Sequence, residues 1–256
     1  EASGALGPGG TVVEATAGNT GISLAMAGRA AGYDVILVVP EKFSREKQEM
    51  MRALGARLIL SPTEEGMEGA QRRAQEIAGS TPGAVYVDQF SNPANPKAHV
   101  TTTGPEILEQ TEGRLDAVVI GCGSGGTFTG AVRFLKEHLP RLHAVAVEPE
   151  GSVLSGGPPG SHEIEGIGMG TVHPIVDLEL IDEVIVVPDP EAFATVRSLA
   201  ARCGVLAGSS GGAAVWAAVQ VARRLGTGRR VVTLIPDSAE RYLSKSIFQL
   251  FSEEAT

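Results

Sequence analysis

The sequence contains few cysteines and few basic residues, and both shortages exclude classes of protein. Its 256 residues include only two cysteines, Cys122 and Cys203, which lie far apart and form no Cys-x-x-Cys motif. A disulfide framework and a thiolate zinc site are therefore disfavoured. Lys and Arg number 21 against 30 Asp and Glu, which gives a formal net charge of −9. This charge disfavours a nucleic-acid partner, because proteins that bind a phosphate backbone usually present a basic face.

Two longer patterns are also missing. No apolar stretch reaches the roughly 18–20 residues that a membrane-spanning helix needs, so no membrane partner is expected. The pattern Gly-x-x-x-x-Gly-Lys-Ser/Thr is absent, which disfavours a P-loop nucleotide hydrolase. Apolar residues, by contrast, make up 43% of the chain and charged residues 20%, a balance typical of a folded protein. The composition predicts a soluble, cytoplasmic α/β protein.

Short runs of β-branched residues alternate with helical patterns along the whole chain. Strands are predicted over residues 11–16, 34–40, 57–61, 84–88, 116–122, 143–148, 183–188 and 230–236. Helices are predicted near residues 20–31, 43–54, 65–79, 101–111, 126–138, 190–202, 211–225 and 239–251. Several strands are apolar throughout, which indicates parallel sheets covered by helices on both faces.

Two long loops interrupt this alternation. Residues 90–97 contain two Asn-Pro pairs and are interpreted as a domain boundary. The sequence therefore predicts a smaller N-terminal α/β domain over 1–92 and a larger C-terminal α/β domain over 93–256. Residues 151–170 form a second loop that is rich in Gly and Pro, and loops of this length are often functional.

The strongest local signal is the glycine-rich segment 121–127, which follows a predicted strand and opens a predicted helix. Glycines allow the backbone to approach an anion, and a helix N-terminus presents N–H groups to it. A tight turn without a ligand is the alternative. Gly121, Gly123 and Gly126 also satisfy Gly-x-Gly-x-x-Gly, with Glu148 at the end of the next strand, so an NAD-binding dehydrogenase is a rival hypothesis.

A second loop of the same kind, residues 16–21, also joins a predicted strand to a helix. Its hydroxyls, its asparagine amide and its backbone N–H groups at a helix start suit a carboxylate ligand. The alternative is N-capping by Thr16, Asn19 or Thr20.

Three further motifs are ambiguous. Residues 208–212 match Gly-x-Ser-x-Gly, but all five histidines precede Ser210, which excludes the Ser–acid–His order of that hydrolase class. A structural role for this loop is favoured. His162-Glu163 lacks a second histidine at helical spacing, so no metal site is expected. Ser238 follows the last predicted strand and either faces a ligand or caps the next helix.

Taken together, eight segments resemble, in the same order, those of the cysteine synthase (O-acetylserine sulfhydrylase) and cystathionine β-synthase family of fold-type II pyridoxal-phosphate (PLP) enzymes. They are TAGNTG, PEKFSREKQEMMRALGA, DQFSNPANPKAHVTTTGPEI, GSGGTFTG, VEPEGS, HEIEGIGMG, GSSGG and PDSAERYLS. Each motif is weak alone, whereas eight in this order are specific. The resemblance implies two α/β domains, each a twisted, mostly parallel sheet flanked by helices, and a homodimer.

The resemblance also implies roles for individual residues. Asn19 would bond the 3′-oxygen of PLP, and Ser238 its pyridine nitrogen. Gly166 and Gly168 would border the cleft. The cofactor phosphate would be held by Gly123, Ser124, Gly125, Gly126 and Thr127. The substrate carboxylate would be bound by Thr16, Ala17, Gly18, Asn19 and Thr20, with Gln89 beside them.

The sequence departs from the family pattern at two places. The family usually has serine where this chain has Ala17, which removes one hydroxyl near the carboxylate. The family also carries a Schiff-base lysine in an Asn-Pro-x-x-Ser-x-Lys-Asp-Arg segment, which is not found here. None of the five lysines has that context, and Lys42 and Lys47 follow a surface-helix pattern. The catalytic lysine is therefore expected upstream of Glu1, in an N-terminal segment that this chain lacks.

The implied activity is that of a transferase of cysteine biosynthesis. PLP-dependent β-replacement on an O-acetylserine-type substrate with sulfide would give L-cysteine. A cystathionine β-synthase reaction between serine and homocysteine is the alternative within the family. An NAD-binding dehydrogenase and a non-catalytic ligand-binding module remain alternatives from other classes.

Overall fold

The structure is a computed structural model that describes residues 4–245 and 247–248. The chain divides into two units. The first comprises Glu1–Asp88 together with Arg241–Thr256, and the second comprises Gln89–Glu240. Within the described residues, no helix is both long enough and apolar enough to span a membrane.

The first unit is a parallel four-stranded sheet with three α-helices among its described residues. Its strands are β1 (Thr11–Ala15), β2 (Asp34–Pro40), β3 (Arg57–Ser61) and β4 (Ala84–Tyr86), in the spatial order β3-β2-β1-β4. Its helices are α1 (Asn19–Ala30), α2 (Arg45–Ala53) and α3 (Gly66–Ser80). Val35 and Leu37 of β2 pack in one core and Ile36 and Val38 in another, so β2 is buried on both faces as its apolar sequence predicts.

The second unit repeats this plan with another parallel four-stranded sheet. Its strands are β5 (Ala117–Gly121), β6 (His143–Pro149), β7 (Glu183–Val187) and β8 (Val231–Thr233), in the order β7-β6-β5-β8. Its helices are α4 (Ala94–Thr101), α5 (Thr103–Gln110), α6 (Gly126–His138), α7 (Asp189–Cys203) and α8 (Ser209–Leu225). The predicted α/β class with two parallel sheets is therefore confirmed.

The first strand of each unit lies at a reversal of strand order. In the first sheet, β2 and β3 extend to one side of β1, and β4 lies on the other side. In the second sheet, β6 and β7 extend to one side of β5, and β8 lies on the other side. Open α/β sheets bind ligands at such reversals, outside the carboxyl ends of the strands. The two glycine-containing loops predicted as ligand sites follow β1 and β5.

One predicted loop and one predicted helix differ from the structure. The segment 90–97, predicted as a loop, already contains the start of α4 at Ala94. Pro93 is its N-cap and Pro96 lies in its first turn, where proline is tolerated because the N–H groups there have no partner within the helix. In place of the helix predicted over 239–251, the structure has 3₁₀ turns over Ala239–Lys245, which are kinked at Tyr242, where φ is −138°. Residues 246 and 249–251 of the predicted helix lie outside the described residues.

The two units also differ from the predicted domains 1–92 and 93–256. The first boundary falls between Asp88 and Gln89, and the segment beginning at Arg241 belongs to the first unit. Side-chain contacts explain this return. Ser44 Oγ donates to the Arg241 carbonyl oxygen at 2.6 Å, and the Ser244 backbone N–H donates to Glu46 Oε1 at 2.7 Å. These partners are almost two hundred residues apart in sequence, so no local pattern reports them.

Candidate functional site

The loop between β1 and α1, residues 16–21, is here called the carboxylate loop. Thr16 is 1% exposed, and its Oγ1 accepts the N–H groups of Gly18 at 3.0 Å and Gly21 at 3.1 Å. The N-cap of α1 is Gly18, which has no side-chain cap, and the Thr16 hydroxyl instead accepts one N–H group of the first turn. Ala17, Asn19 and Thr20 are partly exposed, whereas Thr16 is not.

Gly18 and Asn19 are held by residues distant in sequence. Gly18 has a φ of 152°, and a Cβ added there would collide with the side chain of Lys47. Asn19 Oδ1 accepts a hydrogen bond from Arg241 Nη1 at 2.9 Å. The shape of the carboxylate loop thus depends on α2 and on the segment after residue 240. The loop's own sequence contains no pattern that indicates these contacts.

Lys47 does not lie on the surface, as its helical pattern predicted. It is 1% exposed, and its Nζ lies 2.6 Å from the hydroxyl of Tyr242, which is itself 1% exposed. Lys42 and Lys97 are exposed, and Lys136 and Lys245 are partly buried. The surface prediction for Lys47 was wrong because a residue near the end of the chain covers this face of α2. The expectation of a Schiff-base lysine upstream of Glu1 stays a prediction.

The loop between β5 and α6, residues 121–127, is here called the phosphate loop. Gly125 has a left-handed φ of 92° and is the N-cap of α6, with no side-chain cap. A Cβ added at Gly123 would collide with the Gly166 carbonyl oxygen, and one at Gly126 would collide with the Asn95 side chain. These positions require glycine, and the loop presents the backbone N–H groups at the start of α6, which suits an anion.

Two side chains of α4 hold the hydroxyls of the phosphate loop. Asn95 Nδ2 lies 2.8 Å from the Gln89 carbonyl oxygen and 3.1 Å from Ser124 Oγ. His99 Nε2 lies 3.1 Å from Thr127 Oγ1, while its Nδ1 lies 2.8 Å from Thr103 Oγ1. Burial lowers the pKa of His99, which favours the neutral imidazole. Sequence reasoning missed both residues, because it treated their segment as a loop rather than as a helix with i, i+4 neighbours.

Gly166 and Gly168 lie against the phosphate loop. The Gly168 N–H donates to the Cys122 carbonyl oxygen at 2.7 Å, and Ile167 packs on Gly121. Gly166 and Gly168 have φ values of 93° and 96°, which glycine adopts readily. The structure therefore brings the predicted cleft glycines and the predicted phosphate loop together within the second unit.

Gln89 and Ser238 lie at the start and near the end of the sequence of the second unit. Ser238 follows β8 and forms an isolated antiparallel bridge with Ala207. Its hydroxyl lies 3.4 Å from Glu240 Oε2, a long contact, and the residue is partly exposed. Because β8 pairs with β5, Ser238 and the phosphate loop both follow the carboxyl ends of neighbouring strands. Gln89 is the first residue of the unit.

Glu148 contradicts the dinucleotide hypothesis. It is 0% exposed, and its two carboxylate oxygens accept the backbone N–H groups of Leu154 at 2.8 Å and Ser155 at 2.7 Å. A carboxylate that binds a ribose hydroxyl must reach the ligand, whereas this one organises the loop after β6. The match to Gly-x-Gly-x-x-Gly therefore reflects a glycine-rich turn without the acidic residue that an NAD site needs.

The Gly-x-Ser-x-Gly loop has the structural role that the sequence favoured. Ser209 and Ser210 are buried at the start of α8, and Ser209 Oγ accepts the Glu165 N–H at 3.0 Å. A Cβ at Gly212 would collide with the Ala192 carbonyl oxygen, so the loop allows α8 to pack closely on α7.

Comparison with known families identifies the family of this chain. The profile of the pyridoxal-phosphate dependent enzyme family matches residues 2–237. The chain belongs to this family. Its cofactor is therefore PLP, and the phosphate loop suits the cofactor's phosphate, because it presents backbone N–H groups at the N-terminus of α6.

Three relatives of this PLP enzyme are informative. A cysteine synthase of Helicobacter pylori is 49% identical over 93% of this chain and 78% of its own. An O-acetylserine dependent cystathionine beta-synthase of Bacillus subtilis is 46% identical over 96% of this chain and 80% of its own. The crystal structure of an O-acetylserine dependent cystathionine beta-synthase from Helicobacter pylori superposes with a TM-score of 0.93, at 48% identity, covering 96% of this chain and 81% of that one.

Proposed function

We propose that this PLP enzyme is a cysteine synthase, which replaces the acetate of an O-acetylserine-type substrate with sulfide to form L-cysteine. The observation that carries the proposal is the phosphate loop, whose glycines and α6 N-terminus form an anion cradle after β5. The 49% identity to a cysteine synthase over 93% of the chain supports this choice among PLP reactions.

When bound, PLP supplies an electron sink for reactions at the substrate's Cα and Cβ. The protein's own contribution is to bind and orient. Ala17, Gly18, Asn19 and Thr20 would bind the substrate carboxylate at the start of α1, where the backbone presents N–H groups. Thr16 would support that loop from inside, and Gln89 would lie beside the substrate.

Ser238 would influence whether the pyridine nitrogen of the cofactor is protonated. A serine hydroxyl is neutral, so unlike an aspartate it does not hold a ring nitrogen protonated. The weaker electron sink that results suits elimination and replacement at Cβ. This role is proposed from the position of Ser238 after β8 and from the family resemblance.

The direct test is to incubate purified enzyme and PLP with O-acetylserine and sulfide, and to measure cysteine and acetate. We expect the two products in equal amounts, with none when PLP is removed. The variant Gly123→Ala, whose added Cβ would collide with the Gly166 carbonyl oxygen and displace the phosphate loop, should lose activity, whereas Gly79→Ala on α3 should retain it. PLP binding without cysteine formation would contradict the proposal, and stoichiometric binding of NAD would contradict the family role.

A second nucleophile, homocysteine, is a specific alternative, because two of the relatives carry the name O-acetylserine dependent cystathionine beta-synthase. The same enzyme, supplied with O-acetylserine or serine and with sulfide or homocysteine in turn, separates the possibilities. We expect the highest kcat/KM with O-acetylserine and sulfide. A higher kcat/KM with homocysteine would reassign the enzyme to cystathionine formation, and a preference for serine would support the alternative drawn from the sequence.

Two further expectations belong to the same proposal. The family resemblance implies a homodimer, and the composition predicts a cytoplasmic protein. Light scattering of the purified enzyme tests the first, and fractionation of the producing cells tests the second. A monomeric mass would contradict the homodimer without affecting the proposed reaction.

A further inference from the structure

We propose that His99 is a positioning residue of the phosphate loop, whose imidazole tautomer decides whether the Thr127 hydroxyl donates its hydrogen to the cofactor phosphate or to the ring. The inference rests on the phosphate-binding role that the proposed function gives this loop. It concerns the position of one hydrogen, which no sequence pattern indicates, and this position can be measured without an assay of the reaction.

The ring of His99 lies between two threonine hydroxyls. Its Nδ1 is 2.8 Å from the Oγ1 of Thr103, in the first turn of α5, and its Nε2 is 3.1 Å from the Oγ1 of Thr127, in the first turn of α6. Burial lowers the pKa of His99 and so favours the neutral ring, which has one N–H donor and one acceptor nitrogen. Within residues 4–245 and 247–248, the ring contacts no group that only donates or only accepts, so the protein alone permits both tautomers.

The two tautomers place the hydrogen of the Thr127 hydroxyl differently. With the ring hydrogen on Nδ1, the ring donates to Thr103, and Nε2 accepts the Thr127 hydrogen, which a ligand then cannot use. With the ring hydrogen on Nε2, the ring donates to Thr127 Oγ1, and Thr103 donates to Nδ1. The Thr127 hydroxyl then accepts from the ring and can donate its own hydrogen to a ligand.

A phosphate ligand distinguishes between these two arrangements. A phosphate dianion accepts hydrogen bonds and offers none, so it pairs with the Thr127 hydroxyl only when the ring hydrogen is on Nε2. Bound phosphate should therefore hold His99 as the Nε2–H tautomer. Because coupling between two equilibria is reciprocal, the Nε2–H tautomer should in turn strengthen phosphate binding.

Ser124, the other hydroxyl of the phosphate loop, has the same arrangement with a fixed donor. Asn95 Nδ2 lies 2.8 Å from the Gln89 carbonyl oxygen, which only accepts, so the amide nitrogen and not its oxygen lies 3.1 Å from Ser124 Oγ. The Ser124 hydroxyl therefore accepts from Asn95 and keeps its own hydrogen for another partner. Helix α4 thus supplies a fixed donor to Ser124 and, through His99, an adjustable one to Thr127.

The packing of α4 on α6 holds the ring in place. A Cβ added at Gly130 would collide with the Pro96 carbonyl oxygen and with His99 Cβ, so the two helices are in direct contact there. Gly130 follows Thr127 by one turn of α6. Because the backbone on both sides of the contact is fixed, what changes between the two arrangements is the position of the hydrogens.

The tautomer can be read from the ¹⁵N signals of the two ring nitrogens. The full chain, labelled with [¹⁵N]histidine, is measured at about pH 8, above the ordinary pKa of histidine, with PLP, after PLP removal, and with inorganic phosphate added to the PLP-free protein. We expect the hydrogen of His99 to be on Nε2 with PLP, shared with Nδ1 without it, and on Nε2 again with phosphate. The two nitrogen signals should thus move in opposite directions, and unchanged signals in all three states would overturn the proposal.

His138 is the internal control in the same spectra. Its Nδ1 lies 2.8 Å from the Phe134 carbonyl oxygen, which only accepts, so its ring hydrogen is fixed on Nδ1. It lies at the end of α6 opposite to Thr127 and should keep the same tautomer in all three states. Equal movement of the His138 and His99 signals would contradict the proposal.

A double-mutant cycle tests whether His99 acts through Thr127. PLP affinity is measured by equilibrium dialysis for the parent, His99→Phe, Thr127→Val and the double variant. We expect His99→Phe to weaken PLP binding roughly three- to tenfold, because the Thr127 hydroxyl loses the donor that orients it, and to have almost no effect in the Thr127→Val background. The same substitution at the exposed His138 should leave the affinity unchanged. Equal losses from His99→Phe in both backgrounds would indicate a purely structural role and overturn the proposal.

The outcomes separate this inference from the proposed function. If phosphate moves the His99 hydrogen but the enzyme forms no cysteine from O-acetylserine and sulfide, the inference stands and the proposed reaction fails. If the enzyme forms cysteine but the His99 tautomer responds to neither PLP nor phosphate, the proposed reaction stands and the inference fails.

Discussion

Gly123 shows how the phosphate loop depends on a missing side chain. A Cβ there would collide with the Gly166 carbonyl oxygen, and backbone atoms cannot move aside as the end of a side chain can. We expect Gly123→Ala to lower the free energy of unfolding by about 1–3 kcal/mol, the usual cost of overpacking, and to weaken PLP binding. Urea unfolding and dialysis measure the two effects.

Gly79→Ala is the matched control for this substitution. Gly79 lies near the end of α3, and an added Cβ there meets nothing within 4 Å. Alanine is favoured over glycine in a helix by roughly 0.5–1 kcal/mol, so this variant should be slightly more stable than the parent. Equal destabilisation of both variants would contradict the collision argument.

Ser238 distinguishes a role at the cofactor from a role at a helix start. If its hydroxyl meets the pyridine nitrogen, Ser238→Asp should favour a protonated ring, change the absorbance of bound PLP and alter the reaction outcome, whereas Ser238→Ala should cost less. The control is Glu240→Gln, which changes the carboxylate whose Oε2 lies 3.4 Å from the Ser238 hydroxyl and leaves Ser238 itself intact. If both Ser238 variants match the parent in spectrum and rate, Ser238 only supports the local turn.

The two cysteines should differ sharply in reactivity. Cys122 is fully buried, and this burial, reinforced by the nearby Glu148 carboxylate, raises the pKa of its thiol to about 12. Since only the thiolate is reactive, Cys122 stays unreactive at neutral pH and gains thiolate only as the pH approaches that value. We expect iodoacetamide to modify only the exposed Cys203 of the native protein. In the Cys203→Ser variant Cys122 is the only cysteine, so rapid labelling of this folded variant would contradict the expectation that Cys122 is unreactive.

At the scale of elements, the 3₁₀ helix 239–245 stabilises α2. The link is the 2.6 Å contact between the Tyr242 hydroxyl and the buried Lys47 amine, with Nζ also 4.1 Å from the ring centroid. A buried amine that loses a hydrogen-bond partner is costly. We therefore expect Tyr242→Phe to lower the free energy of unfolding by about 1–3 kcal/mol, measured by urea.

Tyr86→Phe is the control, because the two substitutions remove the same atom. The Tyr86 hydroxyl is buried and has no hydrogen-bond partner among the described residues. Its pKa is raised above the usual range by burial, with the Glu14 and Asp88 carboxylates adding to the shift. Removing a buried hydroxyl without a partner should leave stability unchanged or slightly higher. A loss as large as that of Tyr242→Phe would contradict the importance of the Lys47 contact.

At the scale of the whole molecule, the chain returns to its first unit after completing the second. A chain that ends at Glu240 loses the contacts of Ser44, Glu46 and Lys47 with the last segment. We expect faster hydrogen exchange of the backbone amides in α2 and unchanged exchange in α6, read by mass spectrometry. A chain that ends at Phe248 keeps these contacts and is the control. Faster exchange in both helices would indicate that the segment supports both units.

Much of the fold could be predicted because its signals are local. The apolar run of β2 and the glycine cluster after β5 are each contained in a segment of a few residues. Each predicted strand is present in the structure. Helix α4 was missed, because Pro93 and Pro96 are typical of a loop, although both positions at a helix start tolerate proline.

The sequence by itself determined the α/β class, the parallel strands and the two glycine-containing loops, because periodicity and turn residues act over short distances. The tertiary structure alone decided how those loops are held. It turned the Thr16 hydroxyl inward, buried Lys47 and placed Arg241 against Asn19, 222 positions away. Such contacts form only when the chain returns to its first unit, so no local pattern encodes them.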